Sequence, residues 1–200
     1  MGATQLVTRQ FAIFVAGGTA LFVAIVTVMV AFVIRYNRRR HPVATEVPGN
    51  VALEILWIVV PTILVIGMFL MGVRGYRLMR EVPEGAMTVK VTAFSFGWQF
   101  EYENGKRTQE LFVPAGRPVR LEITSRDVIH SFFAPDLRVK EDAVPGMKTY
   151  TWFAVDKPRE ITVLCAEYCG VGHSDMASRI VAVPPERFDA WLADKAAARP

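Results

Sequence analysis

The chain has 200 residues, 52% of them hydrophobic, and carries 23 Lys and Arg against 19 Asp and Glu, a net charge of +4 at pH 7. That hydrophobic fraction is high for a soluble protein, and the excess is gathered near the N-terminus. Residues 1–80 hold eight Arg and two Glu (+6), whereas residues 81–200 hold 15 Lys and Arg against 17 Asp and Glu (−2). The basic excess therefore flanks apolar segments, and no basic groove for nucleic acid is left.

After a short polar start, Phe11 to Ile34 is a run of 24 residues without a charge, and Ile55 to Gly72 is a second of 18. Each is long enough to cross a hydrocarbon core of about 30 Å at about 1.5 Å per residue. A cleaved signal peptide competes for the first run, but its apolar stretch exceeds the roughly 7–15 residues of such signals. The spans are joined by Arg35-Tyr36-Asn37-Arg38-Arg39-Arg40-His41-Pro42 and by a connection, Val43 to Asn50, containing Pro48-Gly49. Four arginines in that loop, against Arg9 alone before the first span, place it in the cytoplasm. The N-terminus and everything after the second span then lie outside, an orientation that Arg74, Arg77 and Arg80 oppose. Glu54 sits at the cytoplasmic mouth of span two, where a carboxylate either snorkels to water or serves proton traffic. Trp57 reads as an interfacial anchor and Pro61 as a tolerated kink.

From Met87 onward the period becomes two. Val89, Val91 and Ala93 alternate with Thr88, Lys90 and Thr92, and Val119, Leu121 and Ile123 alternate with Arg120, Glu122 and Thr124. Further short strands are predicted at Glu110–Val113, Thr149–Val155, Glu160–Leu164 and Ser178–Val183, with turns at Asn104-Gly105 and Pro145-Gly146. That pattern is an all-β sandwich or barrel. Pro184-Pro185-Glu186 opens a last helix with Phe188, Trp191 and Leu192 on one face, packed on the domain. The division expected is 1–80 for a transmembrane hairpin and 81–200 for an exterior domain.

Both cysteines of the chain fall in the twelve residues Cys165-Ala166-Glu167-Tyr168-Cys169-Gly170-Val171-Gly172-His173-Ser174-Asp175-Met176. His130 lies upstream, between two predicted strands, where a sandwich end can bring its loop to the cysteine loop. Thiolate, imidazole and thioether together suit copper. Three alternatives compete: a disulfide, which an exterior domain permits; structural zinc, which takes Cys and His but not Met; and a mononuclear blue-copper site with a spare cysteine. His130, His173 and Met176 favour two coppers bridged by two thiolates, an arrangement that shares one electron and rearranges little.

The segment 165–176 resembles the dinuclear copper A signature of cytochrome c oxidase subunit II, matching its two Cys, the intervening Glu, the His and the Met. The resemblance extends to the two spans, Leu53-Glu54-Ile55-Leu56-Trp57 with Pro61, the segment Trp98-Gln99-Phe100-Glu101-Tyr102, and Asp127 to Gly146. It implies a two-helix transmembrane hairpin, then a cupredoxin-like sandwich with a short C-terminal helix. It also implies that His130 and His173 each bind one copper, that Cys165 and Cys169 bridge both, and that Met176 and the Glu167 carbonyl are the weak outer ligands. The Glu167 side chain matches a magnesium ligand at the boundary with subunit I, and Glu54 the mouth of a proton channel leading there. Lys140 and Asp142 match polar interface positions. Two departures stand out. Phe96 replaces the tryptophan that receives electrons two residues before Trp98, and Met147 replaces an arginine after Pro145-Gly146.

The implied function is an electron-accepting subunit of a bacterial terminal oxidase, placed in the cell membrane with its copper domain on the outer side. It relays single electrons from cytochrome c, or another small redox protein, to haem in subunit I, where oxygen is reduced and protons are moved. This chain alone would not reduce oxygen. Two alternatives remain: a nitric oxide reductase using the same kind of subunit, for which Phe96 leaves room, and a membrane-tethered copper-delivery protein. Two bridging thiolates and two imidazoles suit retention better than delivery. The slightly acidic exterior suits a basic cytochrome c. No Cys-x-x-Cys-His haem motif occurs, so the donor is a separate protein or domain.

Overall fold

A computed structural model describes residues 3–43, 45–46 and 48–194; the Ala-rich tail beyond Asp194 lies outside them. The chain divides into two units, one spanning Gln5–Tyr76 and the other Arg77 onward.

In the first unit, α1 (Ala3–Arg35) and α2 (Val51–Arg80) contain the two apolar runs. Both are long and apolar enough to cross a membrane, and none of the side chains in their apolar windows is buried by protein. Phe22 and Phe69, for example, are each 66% exposed, as expected where lipid is the solvent. Polar residues govern the helix ends. Asn37 closes α1 by donating from Nδ2 to the Ile34 carbonyl and accepting from the Arg39 and Arg40 amides. Asn50 caps α2, its Oδ1 accepting from the Leu53 amide at 3.2 Å, a side-chain acceptor for one of the orphan N–H groups of a helix start. A polar side chain bridges the hairpin. Gln10 Nε2 donates to the Met71 carbonyl at 2.8 Å, and it can do so because Gly75 leaves room: a Cβ there would lie 2.5 Å from the Gln10 amide oxygen.

The second unit is a sandwich of two five-stranded sheets. Its strands are β1 (Met87–Phe94), β2 (Gly97–Tyr102), β3 (Arg107–Thr108), β4 (Leu111–Pro114), β5 (Pro118–Ser125), β6 (His130–Ala134), β7 (Val139–Ala143), β8 (Thr149–Ala154), β9 (Arg159–Cys165) and β10 (Ala177–Val183). One sheet runs β3-β2-β1-β5-β8 and the other β4-β10-β9-β6-β7. The expected alternation is met most cleanly in β5, where Val119, Leu121 and Ile123 point inward while Arg120 and Glu122 point out and pair at 3.3 Å. Val91, Phe100, Leu121 and Ile123 of the first sheet meet Leu111, Phe132, Val163 and Ile180 of the second, all at 0% exposure. Burying one such side chain is worth about 1.5–3 kcal/mol.

Four strands, β2, β3, β6 and β7, have no counterpart in the sequence expectation. His130 does not lie in a loop between strands; it opens β6, which pairs with both β7 and β9. The reason is burial on both faces. His-Ser-Phe-Phe-Ala has four of five residues buried, so no period-two signal marks it. β7, Val-Lys-Glu-Asp-Ala, carries three charges at a sheet edge, where charged residues block further pairing.

The last helix, α3 (Pro185–Ala193), buries Phe188 and Trp191 as its apolar stripe predicts. Its C-terminal carbonyls are met by the β2–β3 turn. Lys106 Nζ donates to Trp191 O at 2.7 Å and Asp194 O at 2.9 Å, and sits 3.8 Å from the centre of the Trp191 ring. Desolvation lowers the Lys106 pKa, against the opposing pull of Asp194.

Candidate metal centre

The twelve-residue segment is the connection between β9 and β10, and backbone register places it. β10 pairs with β9 from Ala177 opposite Leu164, and the Cys165 amide donates to the Met176 carbonyl at 3.2 Å, which closes the loop at its base. β6 lies on the other side of β9 with Phe132 opposite Cys165. His130, two residues earlier on β6, is thereby set beside the start of the loop, and the Ala166 amide bonds to the Ser131 carbonyl at 3.0 Å. Gly170, at φ +127°, supplies a backbone conformation that other residues rarely adopt. A turn of 3₁₀ helix, His173–Asp175, then brings Met176 back to the core, where it is 1% exposed.

These elements gather the expected donors. His130 Nδ1 lies 3.9 Å from Cys165 Sγ, and Cys165 Sγ lies 3.9 Å from Cys169 Sγ. His173 Nδ1 is 3.5 Å and Met176 Sδ 3.8 Å from Cys169 Sγ. The Glu167 carbonyl is 3.3 Å from Cys165 Sγ. The ligand atoms of His130, Cys165 and Cys169 fall within 4.8 Å of one another, and each imidazole is close to a different sulfur. Both cysteines are free, at a separation far beyond the roughly 2.05 Å of a disulfide. A closed tetrahedral zinc site would leave the thioether and carbonyl unused. Two sulfurs, two imidazole nitrogens and two weak donors fit soft, thiolate-bound copper. Desolvation, reinforced by the nearby Cys165 sulfur, pushes the Cys169 thiol up to about 11. A protonated Cys169 thiol must give up its proton to become a metal ligand, so loading a metal releases it.

The surroundings of the two imidazoles differ. His130 is fully buried, its Nε2 bonded to Asp127 Oδ1 at 2.8 Å. Desolvation works to raise the Asp127 pKa, but hydrogen bonds from His130, Ser95 and Val128 outweigh it and hold the carboxyl well below the usual range. His173 is half-buried, and its ring meets Tyr168, 76% exposed, edge-on at 5.7 Å. Of the aromatic pair singled out in the sequence, Trp98 is buried, 6.4 Å from the His130 ring and 5.7 Å from Phe132. Phe96 is 43% exposed and lies on the metal loop: a Cβ on Gly172 would come within 2.5 Å of its ring, and one on Gly170 within 3.3 Å. Met147 is 55% exposed, Lys140 pairs with Asp142 at 2.8 Å, the Glu167 side chain faces solvent, and Glu54 stands in the first turn of α2. Asp127 and Tyr168 had no role in the sequence reading. The Asp-x-x-His spacing was the available signal for the first, while nothing in the sequence marks the second.

A membrane hairpin followed by a cupredoxin-like sandwich, with a soft Cys-His-Met donor cluster at one end, defines a membrane-anchored protein whose cluster suits copper. Residues 5–74 match the cytochrome c oxidase subunit II transmembrane domain and residues 99–183 its periplasmic domain. The chain belongs to the cytochrome c oxidase subunit II family and is a membrane protein. It is 36% identical over 85% of its length to cytochrome c oxidase subunit 2 of Alkalihalophilus pseudofirmus, and spans about half, 53%, of that protein. It is 33% identical over 94% of its length to a probable cytochrome c oxidase subunit 2 of Rickettsia bellii, covering 77% of it. Its sandwich resembles the crystallised periplasmic domain of subunit II of cytochrome oxidase from Bradyrhizobium japonicum, with TM-score 0.54 and 31% identity over 56% of this chain and 95% of that one.

Proposed function

We propose that the chain is the electron-accepting subunit of a haem-copper terminal oxidase, with a hairpin over 1–80 and an exterior copper domain over 81–200. The observation that carries this is the convergence of four donors, two imidazoles, a thioether and a carbonyl, on one pair of sulfurs. Cys165 and Cys169 would bridge two coppers, His130 and His173 would take one each, and Met176 and the Glu167 carbonyl would complete them weakly. Such a pair supplies one-electron storage shared over two metals. The protein's own part is to hold the donors still. The β9–β10 base, the β6 register and the 3₁₀ turn fix their positions, so little would have to move when charge changes.

Phe96 would receive the electron from cytochrome c or a similar donor, its ring lying on the Gly170–Gly172 backbone that links Cys169 to His173. Trp98 would back His130 from the core. Electrons would leave toward haem in subunit I, with oxygen reduced there and protons moved across the membrane. Glu54 would stand at the mouth of a proton channel into subunit I. The exposed Glu167 carboxylate would offer one ligand to a magnesium ion whose others come from subunit I, since Mg²⁺ asks for an octahedral oxygen shell.

Metal and haem analysis of the purified complex, with oxygen and nitric oxide each tested as acceptor, checks this reading. Two coppers per chain beyond those of subunit I, with oxygen consumed, are expected. One copper, or zinc, would end the dinuclear assignment, and reduction of nitric oxide alone would end the oxidase one.

A further inference from the structure

Asp127 makes contacts that the six donors do not account for. Its Oδ1 accepts from His130 Nε2 and from the Val128 amide, each at 2.8 Å, with Ser125 Oγ 3.4 Å away. Its Oδ2 accepts from the Ser95 amide at 2.7 Å. Ser95 and Phe96 form the turn between β1 and β2, so this last bond ties down the residue next to the exposed ring that lies on Gly170 and Gly172.

The chemistry of each bond has a direction. A carboxylate only accepts, so the imidazole proton it holds is on Nε2 and the Nδ1 lone pair is left facing Cys165. The ring is fully buried, out of reach of bulk solvent. A carboxylate on one imidazole nitrogen also strengthens the other as a donor, which favours the more oxidised metal. The Ser95 amide, for its part, has its acceptor 32 residues away in sequence, and loss of that acceptor frees the turn carrying Phe96.

We infer that Asp127 is a positioning residue with two tasks: it sets the tautomer and donor strength of His130, and it holds the Ser95–Phe96 turn against the metal loop. One carboxylate thus links the buried ligand to the exposed aromatic ring. This rests on the copper reading given above.

Three measurements on the full chain in its complex test it. In the metal-free protein, ¹⁵N shifts should show His130 protonated at Nε2; protonation at Nδ1 would overturn the inference without any variant. Asp127→Asn, isosteric but with one oxygen where two are used, should keep its copper content. Its ratio of reduced to oxidised copper at a fixed potential should rise about tenfold, equivalent to about 59 mV for one electron, and the nitrogen coupling of one imidazole should change. Phe96→Ala should leave the potential unchanged and slow reduction by an external one-electron donor. The double variant should be no slower than the slower single variant, because contacts that act as a unit are not additive. An unchanged potential and couplings in copper-loaded Asp127→Asn, or fully additive rates, would overturn the inference alone. Absence of copper from the unsubstituted complex would overturn the copper reading and this inference with it.

Discussion

The hairpin and the sandwich are specified by different kinds of information. In α1 and α2 nearly every apolar side chain faces outward, and the Gln10 side chain bonds across to the Met71 carbonyl. Such a segment needs length, hydropathy and capped ends, and most apolar residues serve equally well at a given position. In the sandwich each strand position has a side and a partner, and the site exists only because Phe132 lies opposite Cys165 and Ala177 opposite Leu164. A one-residue slip there would turn every side chain to the wrong face. Substitutions in the sandwich should therefore be costly and specific, and those in the hairpin mild.

The largest effect is expected at the sulfurs. Cys165→Ser or Cys169→Ser should abolish the signature of an electron shared by two coppers while membrane insertion, assayed by fractionation, stays normal. A variant that kept the shared-electron spectrum would mean the thiolates do not bridge. Next is Phe132→Ala, which empties a fully buried position between Trp98 and Phe100. It should lower denaturant stability of the sandwich by about 3–5 kcal/mol, whereas Phe22→Ala in the exposed apolar run of α1 should leave it unchanged.

Smaller again is Tyr102. Its hydroxyl donates to the Phe112 carbonyl at 2.9 Å and accepts from the Phe112 amide at 2.8 Å, and removing it by Tyr102→Phe should cost about 1–3 kcal/mol at neutral pH. Desolvation, partly offset by the bond to Phe112, raises its pKa far above the ordinary 10. A raised pKa means the folded state binds more protons, so this contribution is whole below pH 10 and is lost as pH rises beyond it. Alkaline melts should show the loss in the unsubstituted protein and a shallower one in Tyr102→Phe. The smallest effect is expected in the hairpin. Gln10→Leu breaks the bond to Met71, and interhelical hydrogen bonds in membranes average about 0.6 kcal/mol; a loss comparable with that of Phe132→Ala would show that the two regions are not so different.

Much of this was legible because it repeats in one dimension. The spans are uninterrupted apolar runs, β1 and β5 alternate with period two, and the cysteine, histidine and methionine residues of the 165–176 loop stand close together in the chain. Two of the four missed strands share a cause. β6 is buried on both faces and β7 is a charged edge, so neither alternates. Tyr168 is exposed and yet touches His173, and the reach of Asp127 to Ser95 spans 32 residues.

By itself the sequence determined the membrane hairpin, the all-β exterior and the chemical identity of the donors, since hydropathy, alternation and ligand softness are properties of residues and their spacing. Only the tertiary structure decided which donors meet. His130 joins the cysteines because β6 lies beside β9, Phe96 rests on the loop because Gly172 has no side chain, and Asp127 joins the two because strands distant in sequence end at the same place. Each is a matter of register and close approach, and those exist only once the strands have paired.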